Sequence, residues 1–302
     1  MDNIDKVILL DLSNNCRLPY QTLAKKLKVS SNAVKKRVDR LIEEGVIERF
    51  SIELSLEMFG GDVALIILET DGTENEQEFC DNLGENPMIG LVGPCSGSMY
   101  MLFATYIGTT GLSELGIFLR TRKSVKSVEI FPLIYPRGKR VKFSKSHLKV
   151  LRCLVEDARM PVADIAHKTG LSARTVRRLI DEIIEGEGVS LSLSWDLNAS
   201  DGIVMIAKTT WIPEKTNIGD MVTWFNSQFP EFYTPIIAAS EPVIFAAFVG
   251  PDLKRLDEIA KRISGSERVK SVISILGRPL HSYTDLRKQE LDRLLSSYVY
   301  NR

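Results

Sequence analysis

LPYQTLAKKLKVSSNAVKKRVDRLIEEGVI, residues 18–47, reads as a helix, a tight turn, a second helix and the entry to a strand. Pro19 suits a first helical turn, because its missing N–H would be unpaired there anyway. Leu23, Ala24 and Leu27 form one apolar face. Val29-Ser30 makes the turn, and Ser30 or Ser31 can cap the next helix, which carries Val34, Val38, Leu41 and Ile42 inward. Upstream, Ile4, Val7, Ile8, Leu9 and Leu12 recur at helical spacing, predicting a first helix over about residues 3–13. Three such helices, with a short turn between the last two, make a helix-turn-helix. The run 47–54 is strand-like and would add a wing.

The same pattern returns as MPVADIAHKTGLSARTVRRLIDEIIEGEGV, residues 160–189. Pro19 maps to Pro161, Ala24 to Ala166, Ser30 to Ser172 and Val34 to Val176, all displaced by 142 positions. A self-match at a fixed offset near half the chain marks an internal duplication. Each copy is followed by strand and helix patterns in the order βαββαβ, the split ferredoxin-like arrangement. The repeat persists to its last strand, where Val125-Lys126-Ser127-Val128 reappears as Val269-Lys270-Ser271-Val272. The expected class is α+β, with two winged helix-turn-helix domains alternating with two ferredoxin-like domains. The expected boundaries are 1–58, 59–136, a linker at 137–143, 144–200, 201–280 and a C-terminal helix at 281–302.

The chain has 302 residues, 44% hydrophobic and 26% charged, with a formal net charge of +0. No global field draws it to nucleic acid or membrane, so any such attraction must be local. The four cysteines are scattered and histidines number three, which argues against a zinc site and for buried thiols in a reducing, cytoplasmic setting. No apolar run approaches the ~20 residues of a membrane span. No cofactor site, metal site or catalytic set is legible.

Charge does segregate locally. Arg17–Arg49 holds nine Lys/Arg against four Asp/Glu. Asn32, Lys35, Lys36, Arg37 and Arg40 fall on the outward face of the second helix of the motif, with Lys25 and Lys28 beside the turn. In the second copy the matching set is Arg174, Thr175, Arg177 and Arg178, but Lys145–Glu185 carries eight basic and six acidic residues. The first copy is therefore expected to bind phosphate more strongly. Arg137, Lys139, Arg140 and Lys142 lie in a stretch without acids, suited either to tracking DNA phosphates or to a solvated linker. The tail 283–300 has Leu286, Leu291, Leu294, Leu295 and Tyr298 at helix-like spacing, open to two readings: a cap on its own domain or an oligomer contact.

With its L-A…V-S…V…R-V…L…G-V-I skeleton, LAKKLKVSSNAVKKRVDRLIEEGVIERFSIEL resembles the feast/famine (Lrp/AsnC) transcriptional regulators. The resemblance implies double-stranded DNA as partner, a small-molecule effector, pairing through the sensing domains, and no enzymatic activity. A tandem chain would form that pair within itself, as an internal pseudo-dimer. The family's T-G-x-x-D-like turn is altered to Ser96-Gly97-Ser98-Met99-Tyr100, which leaves Gly97 and Ser98 as the matching effector positions. In the second copy Ser240-Glu241-Pro242 stands there. The sirohaem decarboxylases share this architecture, so a tetrapyrrole enzyme is an alternative, as is a protein-binding scaffold. For the enzyme, His147, His167 and His281 all fall outside the expected sensing-domain strands.

Overall fold

Among residues 1–296, which the computed structural model describes, ten α-helices and ten strands follow the duplicated order. The first copy runs α1 (Asn3–Asn14), α2 (Tyr20–Leu27), α3 (Ser31–Glu43), β1 (Ile47–Leu54), β2 (Gly61–Thr70), α4 (Glu76–Gly84), β3 (Ile89–Cys95), β4 (Met99–Ile107), α5 (Gly108–Arg120) and β5 (Val125–Pro132). The second runs α6 (Lys145–Glu156), α7 (Val162–Thr169), α8 (Ala173–Gly186), β6 (Val189–Trp195), β7 (Ile203–Trp211), α9 (Ile218–Gln228), β8 (Phe232–Ile237), β9 (Val243–Gly250), α10 (Leu253–Ser264) and β10 (Val269–Leu276). Strand β11 (His281–Ser282) and helix α11 (Leu286–Ser296) follow. Tyr298 lies outside the described residues.

The contacts divide this chain by type of domain rather than by copy. One unit joins Asp62–Tyr135 with Leu197–Asp285, the two ferredoxin-like domains; the other joins Asp2–Gly61, Pro136–Asp196 and the chain from Leu286 on, the two helix-turn-helix copies. In the ferredoxin-like unit the sheet orders are β11-β3-β4-β2-β5 and β10-β7-β9-β8. Strand β2 is buried on both faces: Ala64, Ile66 and Leu68 pack with the helices, and Val63, Leu65 and Ile67 are also shielded. A strand apolar on both sides needs both faces covered. Phe131 of the first sheet meets Phe245 of the second edge-on at 5.0 Å, and Lys208 pairs with Glu129. The ends of the strands are also tied reciprocally, since Leu133 bridges Ala238 and Cys95 bridges Gly277.

The first sheet gains a fifth strand. His281 and Ser282, expected to begin the C-terminal helix, instead pair with Val92 and Leu91 at the β3 edge. Small residues admit this segment: a Cβ on Gly84 would collide with the Tyr283 ring, and one on Gly93 would reach Leu280. The Tyr283 hydroxyl reaches the Asp81 carboxylate at 3.0 Å. His281 thus lies in a sensing-domain strand, contrary to expectation.

In the other unit β1 and β6 form an antiparallel two-stranded ribbon, with Phe50 opposite Leu193 and Ile52 opposite Leu191. The expected wing of each copy is therefore half of a ribbon shared by both. Ile42, expected inside, is 43% exposed at the margin of the stripe formed by Val34, Val38 and Leu41. Helix α11 buries Leu291 and Leu295 in the core around α6 and β1, and Arg287 pairs with Glu53 at 2.5 Å. The apolar face of this helix packs within the chain. The 137–143 stretch, expected as a linker, is an extended strap. Lys139 N donates to Glu187 O, and Glu57 N donates to Arg137 O. Gly138 sits at φ +67°, where a Cβ would strike Ser55 Oγ and Glu187 O.

Candidate nucleic-acid interface

Helices α3 and α8, the second helices of the two motifs and the candidate recognition helices, begin from the same capped turn. Ser30 Oγ accepts from Ala33 N, and Ser172 Oγ from Thr175 N, both at 3.1 Å. The α2–α3 turn passes through Lys28 at φ +55°, and the α7–α8 turn through Gly170 at φ +71°. At the far end the glycine is exchanged: Gly45 takes φ +79° in the first copy and Glu187 φ +54° in the second. Identical backbone demands are thus met by different residues, each helix-turn-helix carrying one left-handed non-glycine residue.

The two copies are stitched together reciprocally. Cys16 N donates to Leu191 O at 2.9 Å, and Ala158 N to Phe50 O at 3.3 Å. Arg17 Nη1 donates to the carbonyls of Ala158 and Met160 at 2.8 and 3.0 Å. Arg159, its counterpart at the offset of 142, donates to Cys16 O and lies over the rings of Tyr20 and Phe50 at 4.4 and 5.2 Å. Burial lowers the Arg17 pKa and pushes the Cys16 thiol up to about 11, so that thiol stays protonated at neutral pH. Neither arginine stood out in the composition of the motif. The signal was the self-match itself, which extends one residue before Leu18 and Met160 to an identical Arg.

The basic face resolves into two groups. Arg37 and Arg40, expected to face a groove, turn back to α1. Arg37 Nη1 reaches Asp2 and Asp5 at 2.7 and 2.8 Å, and Arg40 Nη2 reaches Asp5 at 2.5 Å. Asp5 is 1% exposed, which accounts for two cations around it: a buried carboxylate needs paired charge and hydrogen bonds. Arg37 is half-buried and its pKa is raised by hydrogen bonds to Asp5 and then Asp2. For Asp2, desolvation pushes upward, but the backbone N–H of Asp5 and the Arg37 guanidinium outweigh it and hold the carboxyl below its usual value.

Lys35 is tied to Asp39 at 2.7 Å, while Lys25, Lys28, Lys36 and Asn32 are exposed with no side-chain partner among the described residues. In the second copy Arg178 is tied to Glu182, Thr175 Oγ1 bonds to the Ser172 cap at 2.9 Å, and Arg174 and Arg177 are exposed without partners. Glu182 also meets His147 Nε2 at 3.0 Å; desolvation raises its pKa, and the hydrogen bonds from His147 and Arg178 more than reverse that. On the strap, Arg137 pairs with Glu57 and Lys139 with Glu187, Arg140 Nε donates to Glu57 O, and Lys142 is exposed without a partner. The three-lysine set of one copy thus faces a two-arginine set in the other, a smaller contrast than the raw charge counts.

Gly97 and Ser98 both take positive φ, +74° and +58°, in the β3–β4 turn. Ser98 O accepts from Thr70 N at 2.9 Å, and nearby Glu74 Oε1 accepts from Tyr100 Oη at 2.9 Å. In the second copy Pro242 O accepts from Trp211 N at 2.9 Å, the same link built without a left-handed residue. No group of three or more His, Cys, Asp or Glu among the described residues is arranged for a metal ion, and no described helix is long and apolar enough to cross a membrane.

Residues 1–48 match the model of a winged helix-turn-helix DNA-binding domain, and residues 148–181 match that of the AsnC-type helix-turn-helix domain. An uncharacterised HTH-type transcriptional regulator of Pyrococcus horikoshii is 30% identical over 119 residues, 38% of this chain and 78% of that protein. The chain belongs to the Lrp/AsnC family. The HTH-type transcriptional regulator LysM of Saccharolobus solfataricus is 49% identical over 57 residues, 19% of this chain and 40% of LysM. This Lrp/AsnC chain therefore spans about two fifths of that relative. The fold is also shared with the crystal structure of the siroheme decarboxylase NirDL, with a TM-score of 0.54 and 14% identity, over 99% of this chain and 100% of that one.

Proposed function

We propose that this Lrp/AsnC chain is a sequence-specific transcription regulator of the cytoplasm, not an enzyme. In this reading one polypeptide presents two unequal recognition helices to double-stranded DNA as an internal pseudo-dimer. The observation that supports it most is the shared β1–β6 ribbon with its reciprocal Arg17 and Arg159 hydrogen bonds, which makes two helix-turn-helix copies one folded unit. Base edges would be read by Asn32 and Lys36 in α3 and by Arg174 and Arg177 in α8, since residues near the start of a recognition helix reach the groove. Lys25, Lys28 and Lys142 would hold phosphates. Binding to promoter DNA, followed by fluorescence anisotropy at several salt concentrations, tests this: log affinity should fall with log salt by roughly 0.9 for each phosphate neutralised. Absence of binding at low salt overturns it.

The Gly97–Ser98 turn is proposed as the effector position, confined to the first copy because only there do two successive residues take left-handed backbone. Calorimetric titration with free amino acids should give one site per chain, lost in Gly97→Val. A tetrapyrrole enzyme is the second reading, favoured by the NirDL-like fold over the full chain and by His281 in β11. Titration with haem decides: a saturable visible band at one equivalent supports that reading, and an unchanged haem spectrum removes it.

A further inference from the structure

We infer that the second residue of each recognition helix makes the two DNA half-sites unequal in base identity, with Asn32 reading an adenine and Arg174 a guanine at the matching place. The inference rests on the DNA-binding reading above and adds the identity of the bases. Asn32 and Arg174 occupy one position of the duplicated frame, the residue after the first helical residue, behind caps of equal length at Ser30 and Ser172. Both side chains are exposed, and neither has a partner among the described residues. Their differing chemistry therefore starts from the same backbone geometry.

Arg174 is placed against local stability. The N-terminal turn of a helix carries partial positive charge and disfavours a cation, and the first turn of α8 contains no acid to offset it. A residue that breaks a local rule without internal compensation points to an external partner rich in acceptors. The fork of a guanidinium matches the two acceptors O6 and N7 of guanine, while a carboxamide offers one donor and one acceptor to the N6 and N7 edge of adenine. One turn further on, the open cation also shifts. Lys35 is held by Asp39 and Lys36 is open, whereas Arg177 is open and Arg178 is held by Glu182. Successive residues project about 100° apart on a helix, so the two copies aim their remaining charge at different bases.

Selection of duplexes from a random pool with the full-length chain tests this, run in parallel on wild type, Asn32→Arg and Arg174→Asn. Wild type should recover sites with an adenine in one half and a guanine at the corresponding place in the other. Arg174→Asn should convert only the guanine, and Asn32→Arg only the adenine, each changing the preference at that base by roughly tenfold or more. Identical half-sites for wild type overturn the inference. So does an Arg174→Asn variant that binds every sequence more weakly while selecting the same site, because that marks a phosphate contact. If wild type retains no duplex at all, it is the DNA-binding reading that fails, and with it this extension.

Discussion

In the first copy Asp5, near the N-terminus of α1, takes Arg37 and Arg40 from α3; in the second, His147 at the matching place of α6 meets Glu182 of α8. Asp5 and His147 are 142 positions apart, as are Arg40 and Glu182, so one tertiary link is made twice with the acid moved from the first helix to the recognition helix. Where Arg37 stands in the first copy, the second has Leu179, which is buried at 2% exposure. The frame requires the first helix to hold the recognition helix, and it leaves open which of the two supplies the acid. Two arginines of the first recognition helix are thereby spent internally, which a count of charges along the motif cannot reveal.

The sharpest break in this comparison is Asp5→Ala. It removes a carboxylate that accepts from both arginines and from Asp2 N, while the partly exposed arginines can hydrate, so the loss is that of charge-assisted hydrogen bonds, about 2 to 3 kcal/mol. Denaturant unfolding should show that loss, with a clearly smaller one for His147→Ala, because Glu182 keeps Arg178 and much of its hydration. Equal losses would mean that the links are equivalent despite their burial. The next test concerns the join between the copies. Arg17→Leu leaves the carbonyls of Ala158 and Met160 without their donor, a loss of about 2 kcal/mol, and Arg159→Leu should match it within experimental scatter. A large difference between the two would show that the reciprocal stitching is energetically lopsided. The smallest effect is a gain. Lys28→Gly and Glu187→Gly relieve left-handed backbone at the two places where the copies exchange glycine, and each should stabilise by about 1 kcal/mol in thermal or denaturant unfolding. Lys28→Gly should also weaken binding to DNA of any sequence, whereas Glu187→Gly should not.

Periodicity and capping made the elements legible. The two caps at Ser30 and Ser172, the apolar stripe through Val34, Val38 and Leu41, and the βαββαβ order all rest on interactions within a few residues, or on the side-chain period of a helix or strand. Ile42 escaped that logic, because it lies at the edge of the stripe, where the period alone does not distinguish inside from outside. The candidate site was legible as a position but not as a set of available charges. Arg37, Arg40, Lys35 and Arg178 look like Lys36, Arg174 and Arg177 in the sequence, and only the acids that fold against them separate the two groups. Thr175 likewise has the place of a groove-facing residue, although its hydroxyl is occupied by the Ser172 cap.

The duplicated unit is dictated by the amino-acid pattern alone. An apolar pattern repeated at one offset encodes the same local energetics twice, so LPYQTLAKKLKVSSNAVKKRVDRLIEEGVI and its counterpart must fold alike. Tertiary structure decided which parts of the two copies come together: β1 with β6 rather than in separate wings, β11 on the β3 edge, and α11 in the helix-turn-helix core. Strand pairing and helix docking depend on edges and apolar faces left over after each element has formed, and on segments more than a hundred residues apart meeting in space. No local pattern carries that information, which is why Arg17 and Arg159 disclose their role only once the two copies are seen side by side.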